Sequence, residues 1–133
     1  MEPEPTENIE DVIRAAGRYP LEAYQFLYRG LDYTARRLHG EPTEDEQSRH
    51  VSGQQLCEGL RAYAVEQYGR LARHVLERWN VRRTRDFGEM VYFLISHRHM
   101  SKQDTDRIED FDDVFDFASA FDGYEIPLDA VDE

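Results

Sequence analysis

The fold of this chain is decided by residues 52–79, which read SGQQLCEGLRAYAVEQYGRLARHVLERW. Ser52 and Gln55 form a capping-box pattern, which predicts the start of a helix. Two apolar stripes follow at helical spacing, and about 100° per residue offsets them by roughly 110°. One straight helix would therefore expose part of a stripe. The sequence predicts two helices instead, about 52–67 and 69–79, with a break at the glycine between them.

Another helix follows after a short turn. Thr84 is a natural N-cap for it, and Asp86 falls in the first turn, where a carboxylate is favoured. Helix is preferred over strand because apolar residues recur at i, i+3, i+4, i+7 and i+8, namely Phe87, Met90, Val91, Leu94 and Ile95. The helices at 69–79 and 84–97 together have the length of a helix-turn-helix. Such a pair is more often part of a bundle core than a DNA-binding unit.

Two helices are also predicted before residue 40. Asn8 is a plausible cap for the first, whose apolar residues keep helical spacing until Gly17 ends it. Pro20 is well placed as the first residue of the second, and Gly40 would close it. The chain is therefore predicted to be mainly α-helical, with about five helices.

Polar and acidic segments separate and flank these helices. Residues 1–7 are predicted to be a disordered acidic arm, residues 39–51 an exposed linker and residues 122–133 an acidic tail. Residues 8–121 are predicted to form a single helical domain. Within its last part, the stretch DFDDVFDFASAFDGYEI at 110–126 fits a helix but would also allow a short strand.

Charge is segregated along the chain, although the formal net charge of the 133 residues is −12. Residues 1–48 carry 5 basic and 11 acidic side chains, residues 49–100 carry 9 and 5, and residues 101–133 carry 2 and 12. The total argues against simple duplex binding and against docking to an anionic lipid surface. The argument is weaker for the central part, whose charge is +4. Nucleic-acid binding through residues 49–100 therefore stays an alternative.

The acidic C-terminal third also holds four phenylalanines, which a purely solvated tail would not need: Phe111, Phe115, Phe117 and Phe121. We expect this aromatic face to pack back onto the basic centre. Its carboxylates would then lie near Arg82, Arg83 and Arg85. The alternative is a solvated acidic end that keeps the protein soluble.

Cys57 is the only cysteine, which excludes an internal disulfide and a four-cysteine zinc site. It is predicted to be a small buried hydrophobe on a helix. The N-terminus lacks the basic and apolar regions of a secretory signal. The longest apolar run, MVYFLI at 90–95, is far shorter than the roughly 18 residues of a membrane span. A cytoplasmic location without membrane association is the expectation.

The strongest candidate site is an anion-binding one at the start of the helix that follows the turn. Arg82, Arg83, Thr84 and Arg85 lie where free backbone N–H groups and the helix dipole attract anions. The three arginines cannot all face one ligand. The simpler interpretation is that they are solvated or paired with the acidic tail.

His97, His99 and Asp104 are a candidate divalent-metal site. Residues at i and i+2 lie about 200° apart on a helix, so the two imidazoles converge only if the helix has already ended. Surface or linker histidines are the simpler interpretation.

Most of the chain resembles a bacterial protein family found in planctomycetes and verrucomicrobia, for which no activity is established. The matching pieces are SGQQLCEGLRAYAVEQYG at 52–69, TRDFGEMVYFLI at 84–95 and DFDDVFDF at 110–117. YPLEAYQFLYRGLDYT at 19–34 is similar to the N-terminal part of the family. The resemblance implies a cytoplasmic bacterial protein and a single folded unit, and it assigns no catalytic residue.

Three functions remain, and the first is preferred. It is a non-enzymatic protein-interaction module that uses charge-complementary contacts with another protein. The alternative is a nucleic-acid or ribonucleoprotein-associated factor, with a basic helical centre and an autoinhibitory acidic tail. The third is a small metal-dependent enzyme around the two histidines. No catalytic residue and no cofactor are predicted, so the sequence leans away from an enzyme.

Overall fold

The computed structural model describes residues 8–42, 49–103 and 105–122, and these residues form helices, turns and loops without a strand. There are five α-helices: α1 Ile9–Ala16, α2 Leu21–His39, α3 Gly53–Tyr68, α4 Ala72–Arg78 and α5 Thr84–Ser96. Short 3₁₀ turns lie at Gly69–Leu71 and Ile108–Phe111, and a π-helical turn lies at Ala118–Asp122. The predicted fold class, mainly α with about five helices, is confirmed.

The ends of α1 and α2 lie close to where the local sequence predicts them. The carboxamide oxygen of Asn8 accepts hydrogen bonds from the N–H groups of Glu10 (2.8 Å) and Asp11 (3.4 Å). Gly17 ends α1 in the left-handed region at φ 70°. Pro20 is the residue just before α2, so this helix begins one residue later than predicted. Gly40 follows its last residue. Cap chemistry thus locates these boundaries to within one residue.

The predicted break between α3 and α4 is present. Ser52 and Gln55 form the expected reciprocal cap: the Ser52 N–H donates to Gln55 Oε1 (2.9 Å), and the Gln55 N–H donates to Ser52 Oγ (3.1 Å). Gly69 follows α3 with φ 55°, a value that glycine adopts at little cost. The 3₁₀ turn at Gly69–Leu71 then redirects the chain into α4.

The start of α5 differs from the prediction in one respect, because Thr84 is its first helical residue and not its cap. Asp86 does the capping: its Oδ2 accepts from the N–H groups of Arg82 (2.8 Å) and Arg83 (3.2 Å). The hydroxyl of Thr84 is free for a long-range contact instead, and donates to the carbonyl of Phe111 (2.6 Å). A tertiary contact has therefore replaced the local one.

The tightest helix pair is α2 with α3, and two glycines allow their close approach. A Cβ added to Gly59 of α3 would overlap the side chain of Thr34 on α2. A Cβ added to Gly30 would meet a terminal methyl of Leu60. Leu27 and Leu60 are fully buried between these helices and the rest of the core.

The acidic C-terminal segment packs onto this helical body through Phe111, which is 4% exposed. Its ring lies against two glycines: a Cβ on Gly88 of α5 would be 2.8 Å from Phe111 Cγ, and one on Gly53 of α3 would be 3.0 Å from Cε1. Phe117 and Phe121 are buried as well, and they contact each other with centroids 5.2 Å apart. The expected packing of this aromatic face onto the centre is confirmed.

Several predicted segments lie outside the described residues: the acidic arm at 1–7, residues 43–48 of the linker, Asp104, and residues 123–133 of the tail. Of the helices in the described ranges, none has the length and apolar character needed to cross a bilayer.

Candidate functional site

The four residues of the predicted anion site do not converge. Thr84 is 1% exposed and its hydroxyl is occupied, since it also accepts the N–H of Val114 (3.1 Å). Arg85 Nη1 binds both carboxylate oxygens of Asp112, at 2.9 and 3.1 Å. Arg82 and Arg83 are exposed, and neither has a carboxylate partner among the described residues. The tail-paired interpretation therefore describes Arg85, and the solvated one describes the other two arginines.

An internal carboxylate already occupies the N-terminus of α5. Besides the two backbone N–H groups that it caps, Asp86 accepts a hydrogen bond from the hydroxyl of Tyr19 (2.6 Å). The guanidinium of Arg18 lies 3.7 Å from the same carboxylate oxygen. Burial, followed by this hydrogen bond, raises the pKa of Tyr19. Asp86 joins the segment between α1 and α2 to the start of α5, and an external anion would have to compete with it.

The two histidines of the predicted metal site lie just past the end of α5, where the helix has already stopped. The His97 ring packs on Phe93, with centroids 4.6 Å apart. The backbone N–H of His99 donates to the carbonyl of Leu94 (2.8 Å). Asp104 lies outside the described residues. Within the described ranges, no three His, Cys, Asp or Glu side chains are grouped to hold a metal ion.

Cys57 is fully buried in the core, as predicted. Burial, with a smaller contribution from the nearby Glu58 carboxylate, raises the pKa of its thiol to about 12. The thiolate is the nucleophilic form, so this cysteine is poorly suited to covalent chemistry in the folded protein.

A row of partly exposed aromatic rings lies on α2, α3 and the residue after α4. We define this aromatic surface as Tyr33, Tyr63, Tyr68 and Trp79. Three of the rings contact the buried ring of Phe26, whose centroid lies 5.4 Å from Tyr63, 6.3 Å from Tyr68 and 5.7 Å from Trp79. The fourth, Tyr33, contacts Tyr63 with centroids 5.2 Å apart. Because neighbouring rings contact one another, the surface is a preformed platform.

The aromatic surface contains a small hollow of about 130 Å³. Its aromatic walls are Tyr63, Tyr68 and Trp79, and the planes of the last two meet at 82° with centroids 6.1 Å apart. The tyrosine hydroxyls of these walls and the Trp79 indole N–H form no hydrogen bond with any described residue. Gln25 and Gln67 lie at the rim. The hollow thus combines ring faces with hydrogen-bonding groups that are available to a ligand.

The sequence places Tyr63, Tyr68 and Trp79 in the two apolar stripes of residues 52–79, and it predicts no site there. One signal was available, namely the 110° offset between the stripes, which implies that a single helix would leave part of a stripe outside the core. The break at Gly69 buries Ala72 and Leu76 of the second stripe. Tyr68 and Trp79 nevertheless remain partly exposed.

Comparison with protein-family models, curated proteins and solved structures finds no match to this chain. The similarity to a planctomycete and verrucomicrobial family therefore stays a prediction, and the geometry of the residues is what supports a function.

Proposed function

We propose that this protein is a non-enzymatic protein-interaction module of the bacterial cytoplasm. Its aromatic surface docks an extended, proline-containing segment of a partner protein. The observation that carries the proposal is the hollow between Tyr63, Tyr68 and Trp79. Tyrosine and tryptophan are the residue types that most often supply the binding energy of protein interfaces.

The chemistry of the hollow suits a polyproline-type segment. Such a segment is preordered, has no internal hydrogen bonds and presents proline rings together with free carbonyl groups. Proline rings pack on aromatic faces in grooves lined by tyrosine and tryptophan. The Trp79 indole N–H and the hydroxyls of Tyr63 and Tyr68 are donors for the carbonyls. The volume of about 130 Å³ suits one small apolar side chain at a time.

Charge has a smaller part in this proposal than the sequence suggests. Arg85, a residue of the predicted anion site, is bound to Asp112 of the same chain. On the rim of the hollow, Glu22 and Arg29 carry opposite charges. Affinity is therefore expected to depend on ring contacts, with weak dependence on salt.

Trp79 is the only tryptophan and lies in the hollow, so its fluorescence reports directly on binding. We expect a panel of ten-residue proline-rich peptides to include some that change Trp79 emission saturably. A glycine-serine peptide of equal length should leave the emission unchanged, because it offers no rigid apolar ring. Tyr63→Ala and Tyr68→Ala together should weaken binding by at least about tenfold.

Tyr28→Ala is the matched control. Tyr28 is another tyrosine of α2, 42% exposed, and it lies outside the aromatic surface. Its replacement should leave peptide affinity unchanged. Equal losses for Tyr28→Ala and for the Tyr63/Tyr68 pair would contradict the proposal, as would emission that no peptide of the panel alters.

The nucleic-acid alternative keeps one favourable observation, namely that Arg82 and Arg83 are exposed without a carboxylate partner among the described residues. Against an autoinhibitory tail stands the burial of Phe111, since displacing this segment would expose a core ring. The full chain, titrated with labelled single-stranded and duplex oligonucleotides at low salt, tests this alternative. Binding that falls steeply with salt and is lost in Arg82→Met/Arg83→Met would favour it.

A further inference from the structure

A second concave site lies on another side of the molecule, where the chain between residues 100 and 111 crosses α2, α3 and α5. This groove has a volume of about 480 Å³, within the range typical of small-molecule sites. Its apolar lining comes from separate elements of the fold: Leu31, Leu56, Val91, Ile95, Met100 and Phe111. None of the residues of the aromatic surface lines it.

Tyr92, one of the residues that line the groove, carries a polar group that no described residue satisfies. The hydroxyl of Tyr92 is buried, and it has no hydrogen-bond partner among the described residues. Leaving a buried hydroxyl without a partner destabilises the protein, so a ligand or a water molecule that accepts its hydrogen bond is favoured. Burial and the nearby carboxylates of Asp106, Asp110 and Glu109 raise the pKa of Tyr92, which keeps this group a proton donor.

The acidic side chains of the groove are engaged locally. Asp106 lies 3.1 Å from His50 Nε2 through Oδ1, and its Oδ2 accepts the N–H of Gln103 (2.8 Å). Asp110 Oδ2 accepts the N–H of Arg107 (3.1 Å).

These carboxylates keep their negative charge, and the mouth of the groove is lined by cations as well. Lys102 and Arg107 are exposed lining residues, and no carboxylate of the described residues pairs with either. Among the described residues, Lys102 Nζ donates a hydrogen bond to the carbonyl of Gln103, at 3.5 Å. An anionic group at this mouth would meet two cations, while the apolar floor would exclude water from the rest of the ligand.

We propose that this groove binds a small organic carboxylate with an apolar body. The body lies on the floor between Leu56, Val91 and Ile95, and the carboxylate faces Lys102 and Arg107. The hydroxyl of Tyr92 donates a hydrogen bond to the ligand. This site is separate from the aromatic surface, and it does not depend on the proposed docking of a peptide.

The test uses the full chain and amide NMR titration, with decanoate and 2-naphthoate as an aliphatic and an aromatic probe below any micelle concentration. At least one probe should bind saturably, with shifts concentrated at residues 91–95 and 100–111. Decyltrimethylammonium, which has an equally apolar body and the opposite charge, should bind at least about tenfold more weakly than the bound carboxylate.

Variants then assign the polar groups. Lys102→Met/Arg107→Met should weaken the carboxylate about three- to tenfold, a range typical of exposed ion pairs. Arg82→Met/Arg83→Met is the matched control, because it removes the same charge at exposed positions outside the groove, and it should leave affinity unchanged. Tyr92→Phe should weaken the carboxylate about tenfold without lowering the stability of the free protein, since the lost hydroxyl has no partner in the described part of the chain.

Three outcomes would overturn the proposal. The first is the absence of binding by both carboxylates, and the second is shifts that lie outside the groove. The third is equal loss of affinity in the Lys102/Arg107 variant and in its Arg82/Arg83 control. Trp79 emission separates this result from that of the peptide experiment, because a carboxylate confined to the groove should leave it unchanged.

Discussion

Two packing contacts of this molecule depend on glycines, and they differ in the side chain that packs against the glycine. In the α2–α3 pair, Gly59 admits Thr34 from a regular helix whose position the apolar periodicity predicts. At the C-terminal segment, Gly53 and Gly88 admit the ring of Phe111 from a short 3₁₀ turn. The irregular acidic segment therefore packs as closely against its neighbours as a regular helix does.

The two interfaces differ in the number of side chains that stabilise them. The α2–α3 interface is spread along two long helices, so it distributes packing over many side chains. The C-terminal segment depends on fewer groups, namely the buried rings of Phe111, Phe117 and Phe121, the hydrogen bond from Thr84 to the Phe111 carbonyl and the Arg85–Asp112 ion pair. Single substitutions should therefore have larger effects on the segment, unless they introduce a steric clash in the helix pair.

The largest loss of unfolding free energy is expected for Phe111→Ala, which leaves a cavity between Gly53 and Gly88. Removing a buried phenylalanine costs about 3–5 kcal/mol of unfolding free energy. Phe115→Ala, at a partly exposed ring of the same segment, should cost clearly less. Urea unfolding of both variants measures the difference. Equal and small losses would mean that the segment is not part of the cooperative core.

The second-largest loss of unfolding free energy is expected from a steric clash between α2 and α3. Gly59→Ala places a methyl group on the side chain of Thr34 next to its backbone, and overpacking of this kind costs about 1–3 kcal/mol. Gly30→Ala meets only the flexible end of Leu60, while alanine gains up to about 1 kcal/mol of helix propensity, so it should be nearly neutral. Thermal unfolding should rank Gly59→Ala well below Gly30→Ala. The reverse order would refute this account of the interface.

Alkaline pH should act on the helix pair through Cys57 of α3. The unfolded thiol loses its proton near pH 9, whereas the folded protein keeps it until about pH 12. Between these values the unfolded state binds fewer protons, so the unfolding free energy falls with rising pH, by at most about 1.4 kcal/mol per pH unit. Cys57→Ala should reduce this slope between pH 9 and 10.5, measured by urea unfolding. An unchanged slope would exclude the thiol as its cause.

The smallest change in stability is expected for an ion pair of the C-terminal segment, and this change should depend on salt. Arg85→Met removes the ion pairs with Asp112 and with Glu89, contacts near the surface that contribute little stability in most proteins. We expect a slightly lower melting temperature at 50 mM NaCl and no difference at 1 M, where the Debye length is only about 3 Å. Arg82→Met is the control without an ion pair to a described carboxylate, and it should show no salt-dependent change.

The candidate sites were harder to anticipate than the helices, for a physical reason. The predicted anion site, Arg82 to Arg85, rests on a general property of helix N-termini, but Asp86 of the same helix uses that property first. The aromatic surface and the groove at residues 100–111 each combine side chains from at least three elements. Their partial exposure follows from how the helices cross, which no spacing along the chain reports.

Local sequence places most helix ends to within one residue, because capping groups and apolar periodicity act over a few residues. The Ser52–Gln55 cap, the Gly17 terminus and the break at Gly69 are of this kind. Only the tertiary structure decided what Thr84, Phe111 and the tyrosines contact. Thr84 is a good local cap by type, yet its hydroxyl joins a carbonyl 27 residues away, because packing Phe111 between two glycines brings that carbonyl within reach.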